Sequence, residues 1–371
     1  MAPPGSLARS SLPQATPEDV SSSAVSRHAP RRAFVLLALL ATSATVLYQQ
    51  ESDGHSTPAR FEVLRHLEWM QGRSYLFNPW QYRVLPDLAI EATVRGFGLV
   101  PAWRERARVR HAPRAPLERR IAANDWALLP YRSLRVVLGA LIFASLLQWL
   151  ERVGVADAKA RWLGVVLLAY AMGQAHFDSA MAFSSYFDLW FFLLAALAIT
   201  GGRPAWILPL SALAAANRET GALIPVMLAA TAIDLRGRRV HDRAALGWAA
   251  VSGLAFAAVF VAVRSFYGWQ PPSPVYGHAG VLDFLRVNLT YPFTVPELLG
   301  TFLWVPVLAL LGYRRWSPEL RLWFWWIVPI WLVVHLGHAM LRETRLLLVP
   351  HALIFVPGLL LTLKRNGAWR G

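Results

Sequence analysis

Residues 204–230 read PAWILPLSALAAA, NRET and GALIPVMLAA, two apolar runs that are separated by the four polar residues from Asn217 to Thr220. An unpaired charge between two such runs costs several kcal/mol, so these residues need partners. Arg218 and Glu219 either pair with groups on neighbouring helices and hold the packing together, or Arg218 faces an anionic substrate. A lipid-linked phosphate is such a substrate, and it suits the planar donor fork of Arg.

The composition of the whole chain is that of a membrane protein. The 371 residues are 56% hydrophobic and include 17 Trp and 18 Phe, which is too much apolar surface for one soluble core. The apolar residues come in blocks long enough to cross a hydrocarbon layer of about 30 Å. We therefore predict an all-α protein, a polytopic transmembrane helical bundle of about ten spans.

Charge and cysteine content exclude several classes of function. The net charge of +15 is explained by Arg-rich cytoplasmic loops and by contact with anionic lipid head groups, so no nucleic-acid partner is predicted. The chain contains no Cys, which excludes disulfides, thiol catalysis and metal sites with Cys ligands. It also contains no P-loop, dinucleotide-binding or zinc motif.

Apolar segments define the predicted spans, several of which are shorter than the ~20 residues of a perpendicular span. The spans are 33–49, 133–150, 161–176, 183–200, 204–217, 219–234, 244–264, 297–313, 320–339 and 345–363. Residues 1–32 are predicted to be a disordered cytoplasmic tail, because they are rich in Ser, Pro and Ala and lack a hydrophobic period. Residues 33–363 form the transmembrane domain, and 364–371 form a second cytoplasmic tail.

Cationic loops orient these spans, because Lys and Arg are enriched on the cytoplasmic side. Arg31-Arg32, the segment DLRGRRVHDR at 234–243 and Lys364-Arg365 together place both termini in the cytoplasm. Residues 50–132 then form one long external loop, although 104–120 is rich in Arg. Part of this loop, 83–100, is typical of an interfacial helix, because charged residues recur at every fourth position and mark one face. They are Arg83, Asp87, Glu91 and Arg95.

Three carboxylates lie at the external ends of predicted spans. Glu51 and Asp53 come directly after the first span, where a carboxylate held at a helix end is well placed to act as a general base on an acceptor hydroxyl. Asp178 follows the third span. Each of the three is alternatively a solvated loop residue without a role, and the choice of base between Glu51 and Asp53 stays open.

Two more polar segments complete the set of candidates. Arg83 lies in the Pro-bounded segment NPWQYRVLP at 78–86, and is either a head-group anchor or a phosphate ligand. Glu343 and Arg345 lie in LRETR at 341–345, just before the last apolar run, and have the same character as residues 217–220.

A pair of histidines, His335 and His338, lies one turn apart on the helix before LRETR. Two histidines without a placed carboxylate more often pack and donate hydrogen bonds than bind a metal. No metal site is therefore predicted, and a divalent cation cofactor stays open.

Together these segments resemble poorly characterised bacterial members of the C-type (GT-C) superfamily of membrane glycosyltransferases. The resemblance covers about residues 33–363 and rests on QYRVLP at 81–86, NRET at 217–220 and ETR at 343–345. It also rests on the long first external loop with an acidic residue near its start. In this chain that position is Glu51-Ser52-Asp53 rather than an adjacent acidic pair.

The resemblance implies an enzyme of the bacterial inner membrane. It would transfer a sugar from a polyprenyl-phosphate donor to an acceptor at the external face, with membrane lipid and the polyprenyl-linked sugar as its partners. Asp53 or Glu51 would be the base. Substrate would be bound by Arg83, Asp178, Arg218, Glu219, Glu343 and Arg345. The alternative is a transporter or flippase of a lipid-linked or anionic solute, because short spans broken at Asn217-Arg218 are typical of transporters.

The predicted topology can be tested by cysteine labelling, since the chain has no Cys of its own. Single cysteines at positions 53, 110, 178 and 342 are expected to react with a membrane-impermeant maleimide added to the outside of cells, because all four are predicted to be external. A cysteine at position 241 is expected to react only after permeabilisation. Protection of position 110 together with labelling of position 53 would contradict the single long external loop.

Overall fold

The computed structural model describes residues 17–52, 66, 82–98, 128–175, 181–234, 239–240, 242–270 and 280–365. Asp53, Asp178 and the Arg-rich segment 104–120 lie outside the described residues, as does most of the predicted external loop.

Helices make up nearly all of the described chain. The α-helices of seven or more residues are, in chain order, α1 (Pro17–Ser52), α2 (Val84–Gly96), α3 (Leu129–Arg152), α4 (Ala158–Gln174), α5 (Phe183–Thr200), α6 (Ile207–Ala215), α7 (Leu223–Ala232), α8 (Arg243–Tyr267), α9 (Val281–Thr290), α10 (Thr294–Phe302), α11 (Val305–Leu311), α12 (Pro318–His338) and α13 (Val356–Arg365). Shorter helical turns precede α13, namely Thr344–Leu347, Leu348–Pro350 and the π-helical His351–Phe355. A two-residue antiparallel ladder between β1 (Ile233–Asp234) and β2 (Arg239–Val240) follows α7. The predicted all-α class is confirmed.

Among the described residues, six helical segments are long and apolar enough to cross a membrane. They are Arg32–Ser52, Leu129–Arg152, Phe183–Thr200, Arg243–Tyr267, Pro318–His338 and Thr344–Leu363. The consecutive helices α10 and α11 add a seventh if they are counted as one span, although they meet at a bend of 74°. The remaining predicted spans correspond to the 17-residue α4 and to two shorter apolar helices, Pro204–Ala215 and Glu219–Ala232. The count of about ten crossings therefore stays a prediction.

The first helix begins earlier than predicted. It starts at Pro17, inside the segment 1–32 that the sequence predicts to be a disordered tail. Pro17 is followed directly by Glu18 and Asp19. Proline at the first helical position and acidic residues in the first turn are a helix-start signal, because proline fixes φ there and the carboxylates interact with the positive end of the helix dipole. A prediction from composition alone misses this signal.

The charge-marked helix α2 packs against α3 and α5 instead of turning all of its charges to an interface. Asp87 and Glu91 are buried together with Ile90 and Val94, whereas the Arg95 side chain is 66% exposed. The face that the sequence predicts to lie along the interface is therefore mostly an internal one. Buried carboxylates require partners, and this requirement draws α2 into the bundle.

Tryptophan residues hold the centre of the bundle together. Trp149 of α3 and Trp323 of α12 stack with their ring centroids 5.3 Å apart. Their indole N–H groups donate to the carbonyl oxygens of Leu353 (3.0 Å) and Met227 (3.2 Å). Trp331 donates in the same way to a carbonyl of the last span. Each ring thus fills the core while its single polar atom is satisfied by a backbone carbonyl of another helix.

The bundle has two chemically different ends. At the first end α1, α8 and α12 finish and α3 and α5 begin; we call it the polar end. Gln50 donates to the Met172 carbonyl (2.9 Å) and Asn217 donates to the Ser184 carbonyl (2.9 Å), so the helix ends meet there. Neither α3 nor α5 has a side-chain cap at its start. At the opposite end, Asp157, Asp242 and Ser317 cap the starts of α4, α8 and α12.

The outer surface of α8 is consistent with a lipid environment. Leu254 is 71% exposed, and Trp248, Val251 and Val261 of the same helix are exposed as well. An apolar surface of this extent is costly in water, and it is favourable against acyl chains.

The contact between Gly358 and Trp316 tests the packing of α13. A Cβ atom at Gly358 would lie 2.5 Å from the Trp316 ring, which is itself held by a hydrogen bond to the Ala309 carbonyl (3.1 Å). Gly358→Ala is expected to lower the free energy of unfolding by about 1–3 kcal/mol, because the indole has to move. The measurement is thermal unfolding of the purified protein in detergent.

The matched control is Gly253→Ala in α8, where an added Cβ meets no atom within 4 Å. This variant is expected to be up to about 1 kcal/mol more stable than the original protein, because alanine is the better helix former. Equal effects of the two substitutions would contradict the packing of α13 on Trp316.

Candidate functional site

The candidate site is a group of buried charged side chains at the polar end. It begins at the break between α6 and α7, where the chain leaves the helix at Ala216 and turns through the 3-10 segment Glu219–Ala222. The backbone N–H of Leu85 in α2 donates to the Ala216 carbonyl (3.0 Å). This hydrogen bond fixes the start of α2 beside the break, so Arg83 is brought to the same place.

Asp188 lies at the centre of the group and is almost completely buried. The Nη1 atom of Arg218 lies 3.4 Å from its carboxylate, and the Thr220 hydroxyl donates to both carboxylate oxygens at 3.1 and 3.3 Å. The Arg83 guanidinium lies within electrostatic range of the same carboxylate. α5 therefore supplies the anion, and the polar break supplies a cation and a hydroxyl donor.

Arg264, near the end of α8, holds Glu219 at the outer side of the break. Its Nη2 atom lies 2.8 Å from the Glu219 carboxylate, and the Glu219 side chain is 40% exposed. The guanidinium also lies over two aromatic rings, 3.5 Å from the centroid of Phe260 and 4.3 Å from that of Tyr82. The Tyr82 hydroxyl donates to the Gly268 carbonyl (2.8 Å), which ties the residue next to Arg83 to the end of α8.

The segment before the last span supplies a second ion pair. Arg345 and Glu343 are both buried, and their side chains pair at 2.7 Å. The Thr301 hydroxyl donates to the hydroxyl of Thr344 between them (2.9 Å). Asn288 of α9 accepts from the Leu341 N–H (2.8 Å), which holds the approach to this segment.

His335 lies at the same end of the bundle as the two ion pairs. It is buried near the end of α12 and lies within electrostatic range of Arg83, Arg218 and Glu343. Its Nδ1 donates to the Trp331 carbonyl (2.8 Å), and its ring stacks on the Trp331 ring at 5.2 Å. His338 is exposed, and its Nδ1 makes the equivalent contact with Val334 at 3.2 Å. In the part of the chain that the structure describes, no group of three His, Asp or Glu side chains is arranged to hold a metal ion.

A neighbouring polar group lies at the ends of α1 and α3. Glu51 forms an ion pair with Arg132 at 2.8 Å, and a second Arg132 nitrogen donates to both carboxylate oxygens. Gln50, next to it, accepts from the Tyr186 hydroxyl (3.1 Å) and from Nη1 of Arg135 (3.3 Å). Tyr186 and Ser184 both lie in the first turns of α5. The start of α5 therefore contacts both polar groups: Tyr186 contacts Gln50, next to Glu51, and Ser184 contacts Asn217, next to Arg218.

Arg135 is buried without full pairing. Its guanidinium lies near the rings of Phe183 (5.2 Å) and Tyr186 (5.9 Å). Its Nε and Nη2 atoms have no hydrogen-bond partner among the described residues. A buried guanidinium with two unused donors is costly, and it is well suited to an anionic ligand.

His66 links the predicted external loop to the bundle. Its two ring nitrogens contact the Tyr131 hydroxyl (2.7 Å) and the Glu91 carboxylate (3.0 Å). Burial lowers the pKa of His66, although the Glu91 carboxylate acts in the opposite direction. Burial raises the pKa of Glu91, but hydrogen bonds from Arg95 and His66 outweigh it and hold that pKa below its usual value.

The structure brings most of the described candidates together and leaves two without a position. Arg83, Arg218, Glu343 and Arg345 form the buried group, and Glu219 lies at its outer side. Glu51 belongs to the neighbouring group at the end of α1. Asp53 and Asp178 lie outside the described residues, so their predicted roles stay predictions.

Sequence reasoning missed several members of these groups, among them three arginines. Arg264 is the last residue of the predicted span 244–264. An Arg in the last turn of an apolar helix needs a partner, and this signal could have identified it. Arg132 and Arg135 lie in the first turns of α3, where their spacing of three residues places them on one side of the helix. No sequence signal shows that Arg135 pairs with Gln50 of α1, because that contact depends on how two helices pack.

The described residues form a helical bundle that includes six helices long and apolar enough to cross a membrane, with buried arginines and carboxylates at one end. Comparison with models of known protein families, with curated proteins and with solved structures finds no match for this chain.

The incomplete pairing of Arg135 gives a test of the site. Arg135→Met is expected to raise the free energy of unfolding by about 1–3 kcal/mol, because it removes a buried charge and keeps a similar volume. Gln50 keeps a donor in this variant, since Tyr186 still donates to it. The measurement is thermal unfolding in detergent without added phosphate.

Arg218→Met is the matched control at a position whose guanidinium has a carboxylate partner, Asp188. It leaves Asp188 buried without its cation and is expected to cost about 3–5 kcal/mol. A loss of stability in Arg135→Met as large as that in Arg218→Met would show that Arg135 is satisfied by a partner.

Proposed function

We propose that this protein is a membrane glycosyltransferase that transfers a sugar from a polyprenyl-phosphate donor to an acceptor. In this proposal the chain crosses the bacterial inner membrane about ten times, both termini are cytoplasmic, and the polar end faces outward.

The observation that carries the proposal is the convergence of Arg83, Arg218 and Arg345 at the polar end. These residues come from three distant parts of the sequence, and Arg83 and Arg218 act on the same two groups, Asp188 and His335. Holding several guanidinium groups together among apolar helices is costly. A lipid-linked phosphate offsets this cost, because its oxygens accept charge-assisted hydrogen bonds from each of them.

The donor phosphate therefore binds to the three arginines in the proposed mechanism. Asp53 accepts the proton of the acceptor hydroxyl, and the acceptor oxygen attacks the anomeric carbon of the sugar. The bond between that carbon and the phosphate oxygen breaks, and polyprenyl phosphate leaves with the electron pair. The arginines stabilise the negative charge on the leaving phosphate.

Asp53 is a better candidate for the base than Glu51. Both oxygens of Glu51 accept from Arg132, so this carboxylate is occupied in holding α1 to α3. Asp53 is two residues further along the chain and lies outside the described residues. Asp178 and Glu219 would orient sugar hydroxyls, and the exposed part of the Glu219 side chain suits this role.

Transport of an anionic or lipid-linked solute is the second candidate function. It is favoured by the discontinuous pair α6 and α7, whose break holds the buried Arg218, and by the 74° bend between α10 and α11. Broken helices with polar residues at the break are typical of transporter binding sites.

Substitutions at the base and at the phosphate ligands test the enzyme directly. Asp53→Asn is expected to abolish sugar transfer from a polyprenyl-phosphate donor, because the amide cannot accept the acceptor proton. Arg218→Lys is expected to lower the rate at least tenfold while the protein stays folded, since Lys retains the charge beside Asp188 but loses the planar donor fork. The readouts are radiolabelled sugar transfer and thermal unfolding.

Arg161→Lys is the control, because Arg161 also forms an ion pair (3.0 Å, with Glu151) but lies at the opposite end. It is expected to leave transfer unchanged. Full activity of both Asp53→Asn and Arg218→Lys would exclude the assigned roles. Activity in detergent, where there are no separate compartments, distinguishes the transferase from a carrier, since only transport requires a sealed membrane.

A further inference from the structure

A cleft at the opposite end of the bundle has no part in the proposed reaction. It is a cavity of about 870 Å³ between the last turns of α3 and α5 and the start of α6. The 24 residues of α3 separate it from the polar end by about 36 Å. Its walls include Gln148, Arg152, Leu197, Arg203, Trp206 and Leu210.

The walls of this cleft are divided into an apolar part and a cationic part. Leu197 and Leu210 come from inside the helices and line the deeper side, and Leu210 is buried. Arg152 and Arg203 lie at the last turn of α3 and just beyond α5, and both are exposed. The Trp206 side chain is 61% exposed at the same level.

The two arginines at the rim are available to a ligand. Neither Arg152 nor Arg203 forms a side-chain hydrogen bond or an ion pair within the described ranges of the chain. The nearest carboxylate in the wall, Glu151, is held by Arg161 at 3.0 Å. The Arg152 guanidinium lies close to Gly201, the residue directly after α5. A Cβ atom built on Gly201 would be 3.9 Å from Nη2 of Arg152. The rim therefore presents two positive charges that the described residues leave without a counter-charge.

We propose that this cleft binds one anionic phospholipid. Its phosphate contacts Arg152 and Arg203, and one acyl chain lies along Leu197 and Leu210. Guanidinium groups bind phosphate with paired hydrogen bonds, and basic pockets between membrane helices bind anionic head groups. Trp206 lies where tryptophan is enriched, at the boundary between head groups and acyl chains.

The shape of the cleft selects a lipid over a soluble anion. The deeper wall is made of leucine and alanine side chains, which offer an acyl chain an apolar surface but offer no donor to a small anion. A free phosphate at the rim would leave this wall facing water. The volume is also large for a phosphate alone, because pockets of about 300–1,000 Å³ hold molecules of drug size.

The test counts bound lipids by native mass spectrometry of the detergent-solubilised protein. Short-chain phosphatidylglycerol is titrated in parallel with phosphatidylcholine of the same chain length and with glycerol 3-phosphate. We expect one phosphatidylglycerol to bind at least tenfold more tightly than phosphatidylcholine, and glycerol 3-phosphate not to compete with it. Equal binding of the two lipids, or full competition by glycerol 3-phosphate, would overturn the proposal.

A pair of double variants locates the site. Arg152→Gln/Arg203→Gln is expected to weaken the binding of phosphatidylglycerol at least tenfold. Arg243→Gln/Arg314→Gln removes the same charge from exposed arginines at the same end but outside the cleft, and is expected to leave binding unchanged. Equal losses in the two variants would mean that net charge, and not the cleft, attracts the lipid.

Discussion

The ion pair between Arg218 and Asp188 is the interaction on which the arrangement of the polar end depends. Both side chains are buried between apolar helices, where either one alone would cost several kcal/mol. Thr220 donates to the same carboxylate, so three side chains hold the break between α6 and α7 against α5. The backbone N–H of Leu85 donates to the Ala216 carbonyl at this break. The position of α2 and of Arg83 therefore depends on the same break.

The two ends of the bundle satisfy the backbone groups of their helix starts in different ways. At the opposite end, the short side chains of Asp157 and Asp242 cap the helix starts. At the polar end the starts of α3 and α5 lack caps, and Arg135 keeps unused donors within the described part of the protein. The unused donors of Arg135 would suit an anionic group that enters there.

In the proposed function, the concentration of these groups at one end is the argument for transfer and against transport. A carrier has to expose its binding site to each side in turn, whereas Arg83, Arg218 and Arg345 all lie near one end of helices that are tens of ångströms long. The cationic cleft at the opposite end does not supply the second access point, because the length of α3 separates it from Arg218 and Asp188. A lipid bound in the cleft would instead anchor the ends of α3 and α5, the two helices that carry Arg135 and Asp188.

The amino-acid sequence by itself determined the class of the fold and the positions of most helices. The predicted span 183–200 corresponds to α5, and the polar residues at 217–220 were identified as needing partners. This was possible because apolar block length and the cost of buried charge are local properties of the sequence.

Only the tertiary structure decided which residues pair with one another. Asp188 is the partner of Arg218 and Arg264 is the partner of Glu219, at separations of 30 and 45 residues. Both partners lie in apolar helices whose facing surfaces carry no distinctive period, so their rotation and depth depend on the packing of the whole bundle. The same packing turned Asp87 and Glu91 of α2 inward. Charge spacing along a helix shows which residues share a face, but what that face contacts is set by the neighbouring helices.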